Sequence, residues 1–330
     1  MIPRLALIAW ILVLVLLILG AYLRHSQAGS GCSEWPKCYG RISATLGSNE
    51  SPTAQREIAQ PRWATRSHRA VAGLIAVVVV AITALSVIRR KRGAVLLSAF
   101  LALANLLFLI ALGLWAGGSR SPLVTVGNLL GGVALLGILW WLYLTSRPLP
   151  KAHKPPSRPV IPLWMVVGLM LAFTVITLGA FSSAIYAGVA CEGFPACSGV
   201  WWPRATPEEI FSLFRPLPTD DSGVVIGGPG QTAVQLTHRM GAVVLLVWGI
   251  AAGWRLTTAG TGAQGWSIAL LVLTGVQIML GISVAIKPSV LATALAHNLA
   301  ASLLLIALLH VLHHHLSTRL PTNSENPQLK

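Results

Sequence analysis

Ala296-His297-Asn298 lies early in an apolar run from Leu291 to Leu312. An imidazole there sits in hydrocarbon, where an unpartnered polar side chain costs several kcal/mol, roughly 2 to 7. It needs a partner: a hydrogen bond from another helix, a water pocket or a metal. The sharpest chemistry open to it is axial ligation of a haem iron, because neutral imidazole suits iron and helical bundles can hold cofactors between facing helices. Ionisable residues inside a membrane span are also functional by default. The placement recurs, since Ser67-His68-Arg69 and Thr237-His238-Arg239 each stand near the start of another apolar run, offset by 170 residues (68 to 238).

If the runs are helices that alternate in direction, His68, His238 and His297 all stand at the same depth. His238 and His297 belong to the same half of the chain, and a bundle can aim both at one iron from opposite sides to give a bis-histidine, six-coordinate haem. The counterpart of His297 for His68, at an offset of 169 or 170, is Asn128 or Gly127, and the run around them holds no histidine. The earlier site therefore offers one ligand and an open iron position, or simply a cavity. His153 falls in a loop, and His310, His313, His314 and His315 fall at the far end of the last run, where a solvated face or contact with lipid phosphate is expected.

The cysteines repeat too. Cys32-Ser33-Glu34-Trp35-Pro36-Lys37-Cys38-Tyr39-Gly40 and Cys191-Glu192-Gly193-Phe194-Pro195-Ala196-Cys197-Ser198-Gly199 share the pattern C-x-x-[WF]-P-x-C-x-G, and the chain has no other cysteine. Five intervening residues can close a small ring, so the expected pairs are Cys32 with Cys38 and Cys191 with Cys197 if the loops face an oxidising compartment. Free thiols, redox-active dithiols and pairing across the loops stay open. A single zinc site of four cysteines is disfavoured, because the Trp-Pro or Phe-Pro insert suits a turn on the membrane surface better than a knuckle.

The elements that must position these residues follow from composition. Of 330 residues, 55% are hydrophobic and only 10% charged, which excludes a soluble domain built on one core. Runs near 5–23, 69–88, 94–117, 123–145, 162–186, 233–254, 266–286 and 291–312 are each long enough for about 30 Å of hydrocarbon. The fold class expected is thus an all-α polytopic membrane protein with eight transmembrane helices. The first run has no Ala-x-Ala cleavage site after it and is read as a helix rather than a signal peptide.

Arg89-Arg90-Lys91-Arg92 follows the second run, and Arg147, Lys151, Lys154 and Arg158 follow the fourth, whereas the opposite short loops carry only Arg120 and Lys287. The positive-inside rule then puts both termini in the cytoplasm and the cysteine loops outside, in the cell's inner membrane. The net charge of +15 reads as membrane-lipid surface chemistry, and no basic stripe interleaved with aromatics suggests nucleic acid. No carboxylate lies within the eight runs, which argues against a transporter.

Because the loop and histidine motifs recur once each, the chain reads as an internal duplication. It divides into 1–150 and 151–330, two tandem four-helix bundles. Four helices per half preserve orientation, so a pseudo-twofold axis along the membrane normal is expected.

The run Gly31-Cys32 to Gly40, Ser67-His68-Arg69, the run Cys191 to Trp202-Pro203, Thr237-His238-Arg239, Leu280-Gly281-Ile282-Ser283 and Ala296-His297-Asn298 together resemble the heme A synthase family. The likeness is to the bacterial type with two cysteine pairs and covers nearly the whole chain. It implies a membrane oxidoreductase that converts a methyl group of heme O to the formyl group of heme A for terminal oxidases. It further implies a heme b cofactor between His238 and His297, and substrate heme O in the first half against His68. Its expected partners are heme O synthase, terminal oxidase assembly factors, a quinol or small redox protein as electron donor, and a second copy in a homo-oligomer. Two positions depart from the family. Thr65 stands where the family has a glutamate three residues before the histidine, and Asn128, or Gly127 in the other register, stands where it has a second histidine. Threonine does not titrate near neutral pH and asparagine is a poor iron ligand. Either His68 holds the substrate alone, a loop group such as Glu57 substitutes, or the chain is a non-catalytic heme b protein serving electron transfer, haem handling or oxidase assembly.

Overall fold

The computed structural model describes residues 1–27, 62–115, 121–147, 161–191, 193–212, 214–215, 217–218, 225–258, 264–286 and 291–317. Hydrocarbon offers no partner for backbone N–H and C=O groups, so a long apolar run satisfies them within itself as a helix. Eight runs do so: α1 (Ile2–Gln27), α2 (Arg62–Ile88), α3 (Ala94–Trp115), α4 (Pro122–Ser146), α5 (Leu163–Ala184), α6 (Pro229–Thr258), α7 (Gln264–Ile286) and α8 (Leu291–Ser317). All eight are long and apolar enough to cross a membrane. Most extend past the apolar runs read from the sequence, because a helix continues into the headgroup zone where water and capping groups take over its ends. Pro122 opens α4 directly after Ser121, where a missing N–H costs nothing.

The helices alternate in direction. One end of the molecule carries the N-terminus and the basic turn after α2, in which Arg90 and Gly93 take left-handed φ values of 48° and 60°. The other end carries the Cys191–Cys197 loop and is called the loop end below. Within α1 to α4, each helix touches the next and α4 returns to α1; α5 to α8 close in the same way, and α4 and α8 join the two sets through α5 and α1.

One core cluster is built on Ile75, Val79 and Ile82 of α2 and Leu135, Leu136, Leu139 and Leu142 of α4, packed over Ala6, Ala9 and Val13 of α1. Small residues on that face of α1 allow close helix approach, which drives association where lipid removes the hydrophobic incentive. A second cluster joins Met165, Ala172 and Val175 of α5 to Leu245, Ala252 and Leu256 of α6, Leu270 of α7, and Leu304 and Leu308 of α8. Large apolar side chains such as Leu163 and Trp254 point outward, 77% and 73% exposed, a surface suited to lipid rather than water. Polar groups in the spans are tied down locally: Thr83 donates to the carbonyls of Val79 and Ala99, Thr274 to Leu270, and Asn105 of α3 to Gly131 of α4.

Between α5 and α6 the chain makes a 3-10 turn, Ala187–Val189, the Cys191–Cys197 disulfide, and a short helix, Pro207–Ser212. Thr206 and Glu209 form a reciprocal cap at the start of that helix. The loop is fastened to α6. Gln231 donates to the Ile185 carbonyl, Thr232 to Ala190, and Ser182 of α5 bonds Gln235. The expected intraloop bond at Cys191–Cys197 is therefore present, buried against Leu236; Cys32, Cys38, Glu57 and His153 lie outside the described residues.

Candidate functional site

His238 stands on α6 and His297 on α8, both toward the loop end, with ring centres 6.5 Å apart and planes at 89°. Two imidazoles each bonded to one metal at about 2 Å have ring centres roughly 6 Å apart, so the observed spacing fits a single shared iron. Each ring is oriented by a neighbouring helix. Nδ1 of His238 lies 3.1 Å from the Val175 carbonyl of α5. A carbonyl only accepts, so Nδ1 carries the proton and Nε2 keeps its lone pair, the arrangement that fixes the tautomer of a metal-binding histidine. On the other side, Nε2 of His297 lies 3.3 Å from Nε2 of Gln277 on α7.

Three further observations bear on whether these residues fit a haem. Nδ1 of His297 and Oε1 of Gln277 are buried with no hydrogen-bond partner, an expensive state that a bound group and a small reorientation would relieve. Glycines face both rings. A Cβ at Gly179 of α5 would sit 2.8 Å from Cε1 of His238, and one at Gly281 of α7 would sit 3.1 Å from Cε1 of His297. Side chains there would displace the imidazoles, so α5 and α7 form bare walls against them. The fastened loop lies over the same end. Donor set, spacing and oriented tautomer together fit a bis-histidine haem.

In the first set of helices, His68 of α2 is half-buried, and a Cβ at Gly20 of α1 would stand 3.7 Å from its Nε2. Gly20 and Gly179 are offset by the 159 residues that separate the cysteine motifs (32 to 191), and each faces the histidine of the next helix. Thr65 is half-buried one turn before His68. The two registers for the missing histidine face different neighbours. A Cβ on Gly127 would meet Cδ2 of Leu112 at 2.8 Å and Cζ of Phe108 at 3.9 Å, both on α3. Asn128 is exposed and stands one turn before Gly132, whose Cβ would meet Leu17 of α1, and two turns before the buried Leu135.

The structure departs from the sequence reading at the opposite end. The sequence places His310 and His313 on a solvated face or against lipid phosphate. Instead His310 stacks on Trp266 with ring centres 3.7 Å apart and planes at 19°, and His313 meets the edge of Trp141 at 5.5 Å. The reason is their rotation on α8, which turns them to α7 and α4 rather than away. Neither approaches the pair at the loop end. Among the described residues no three histidines, cysteines or carboxylates gather as a metal cluster. Val175, Gly179, Gln277 and the wall made by Gly20 escaped the sequence reading; the repeat offset applied to glycines would have found Gly20 and Gly179.

Comparison with known proteins gives one consistent result. Residues 3–309 match the family described as cytochrome oxidase assembly protein. The heme A synthase of Shewanella oneidensis is 30% identical over 298 residues, covering 88% of this chain and 89% of that protein. That of Shouchella clausii is 26% identical over 89% of this chain and 94% of its own length. In Bacillus licheniformis the heme A synthase is 27% identical over 89% of both.

Proposed function

Because this chain belongs to the heme A synthase family of cytochrome oxidase assembly proteins, we propose that it is a membrane oxidoreductase converting the methyl group of heme O to the formyl group of heme A. The observation that carries the reading is the His238 and His297 pair, 6.5 Å apart between centres, with one tautomer set by Val175. The relatives named heme A synthase match along nearly nine-tenths of the chain, and nothing in the structure favours the non-catalytic alternative over them.

In this reading the resident cofactor is heme b, ligated by His238 and His297. When bound, it supplies one-electron transfer between a donor, quinol or small redox protein, and the substrate side. The protein's own part is positional. Val175 holds Nδ1 of His238 and leaves its Nε2 lone pair free, the Gln277 side chain turns away from Nε2 of His297 when iron takes that atom, and the glycines at 179 and 281 leave room beside both rings. The loop is fastened to α6 at the same end, through Gln231, Thr232 and Arg239.

Substrate heme O is assigned to α1 to α4, held by His68. α4 holds no histidine, so that helix offers the substrate iron no imidazole to add to His68. Thr65, one turn before His68, offers a hydroxyl for hydrogen bonding and no titrating group near neutral pH. The closed contact circuits α1 to α4 and α5 to α8 support a division at 1–150 and 151–330 into tandem bundles. The basic turn after α2 supports an inner-membrane protein with cytoplasmic termini and external cysteine loops, and so a second disulfide between Cys32 and Cys38.

Optical spectra of the purified protein and of His297→Ala test the cofactor assignment. Low-spin haem in the unmodified protein, lost or converted to high spin in the variant, is expected. An unchanged spectrum in the variant would overturn it.

A further inference from the structure

Arg239 follows His238 on α6 and is half-buried at the loop end. Its Nη1 donates to two backbone carbonyls of the disulfide loop, Pro195 at 2.9 Å and Ala196 at 3.2 Å, and its guanidinium carbon lies 5.8 Å from the centre of the Phe194 ring. These contacts fix the plane of the guanidinium. Its other edge is different: Nε and Nη2 are both buried and neither has a hydrogen-bond partner. Nε and Nη2 form the parallel fork that takes both oxygens of a carboxylate. A buried cation with two idle donors is an unstable arrangement unless an anion completes it.

We propose that Arg239, clamped by the Cys191–Cys197 loop, is the anchor for a propionate carboxylate of the haem held by His238 and His297. This rests on the haem-ligand reading of those histidines. Three lines converge on it. Successive helical residues are about 100° apart, so Arg239 points sideways from the direction in which His238 points. A macrocycle bound across the His238 and His297 axis has its rim beside the histidine rather than behind it, on the side where Arg239 can lie. The unpaired fork fits a planar two-oxygen anion, and a haem carries two such groups on one edge. The carbonyls of Pro195 and Ala196 belong to the ring closed by the disulfide, so the covalent loop holds the cation that holds the cofactor.

The test compares haem b with its dimethyl ester, which keeps the iron and macrocycle but has no carboxylate. Protein made in haem-starved cells, unmodified or as Arg239→Gln or Arg239→Lys, is titrated with each in detergent and followed by the low-spin optical spectrum. The unmodified protein should bind haem b at least about tenfold more tightly than the ester, the size expected of a charge-assisted bidentate contact. In Arg239→Gln the ratio should fall toward one while a low-spin spectrum is still reached. Arg239→Lys, which keeps the charge and loses the fork, should lie between and still decides the matter if the glutamine variant fails to fold. An equal preference for haem b in all three proteins would overturn the proposal while leaving the histidine assignment intact. No low-spin species in the unmodified protein would overturn both.

Discussion

Adding a methyl group to the glycines that face the histidines should perturb the haem in the order Gly179, then Gly281, then Gly20. The contacts set that order. An alanine Cβ at Gly179 would lie 2.8 Å from Cε1 of His238, so the ring must yield about 0.6 Å to reach ordinary contact at 3.4 Å. At Gly281 the distance is 3.1 Å and the required movement about 0.3 Å; at Gly20 it is 3.7 Å and nothing need move. An imidazole is rigid, and His238 is already held 3.1 Å from the Val175 carbonyl. Much of a 0.6 Å shift falling on that bond would carry it past hydrogen-bonding range. Overpacking costs about 1 to 3 kcal/mol, and loss of a carbonyl that orients a metal-binding histidine typically weakens metal binding about 10- to 100-fold. The better helix propensity of alanine, up to about 1 kcal/mol, applies to all three substitutions and leaves their order unchanged. The assay is the low-spin fraction and the rate of haem loss from each variant in detergent. Gly179→Ala should lose haem about 10- to 100-fold faster, Gly281→Ala less so, and Gly20→Ala at the unmodified rate. A Gly179→Ala protein with the unmodified spectrum and retention would refute the reasoning, as would Gly20→Ala proving the most disturbed.

Replacing Cys191 and Cys197 together by serine should loosen the carbonyls that hold Arg239 and speed haem loss several-fold while leaving a low-spin spectrum; stopped-flow haem transfer to an acceptor protein measures it, and an unchanged rate would sever the loop from the site. Asn128→His should give a haem bound by α1 to α4 a second imidazole opposite His68, seen as additional low-spin signal in electron paramagnetic resonance, because Asn128 shares the face of α4 that carries Gly132 and the buried Leu135. Gly127→His combined with Leu112→Ala, on the side facing α3, should add none. The reverse pattern would show that the register of α4 is misassigned.

The eight spans were legible because a membrane helix is recognised by a one-dimensional property, a run of about 20 apolar residues. His238 and His297 were legible because polar residues in such runs are rare and the motifs repeat. What surrounds them was not. Helices such as α5 and α7 have no dominant polar face, so their sequences do not say which side meets α6 or α8. The carbonyl of Val175 and the amide of Gln277 become partners only through that rotation. The same gap left Gly127 and Asn128 undecided, since a repeat offset uncertain by one residue is a 100° uncertainty on a helix. It also misplaced His310, whose polar type suggested water and whose rotation on α8 delivers it to Trp266. The fork of Arg239 lay in plain view as the third letter of Thr237-His238-Arg239, but its significance depends on how the disulfide loop folds back.

The central claim is that the chain turns heme O into heme A with His68 as the protein's ligand to the substrate. Its most direct measurement is the haem composition of membranes from cells that make heme O and carry either the unmodified protein or His68→Ala. Heme A should accumulate with the unmodified protein and disappear with His68→Ala, while the low-spin centre of His238 and His297 stays in both. An unmodified protein with that centre intact and heme O supplied, yet without heme A, would contradict the account.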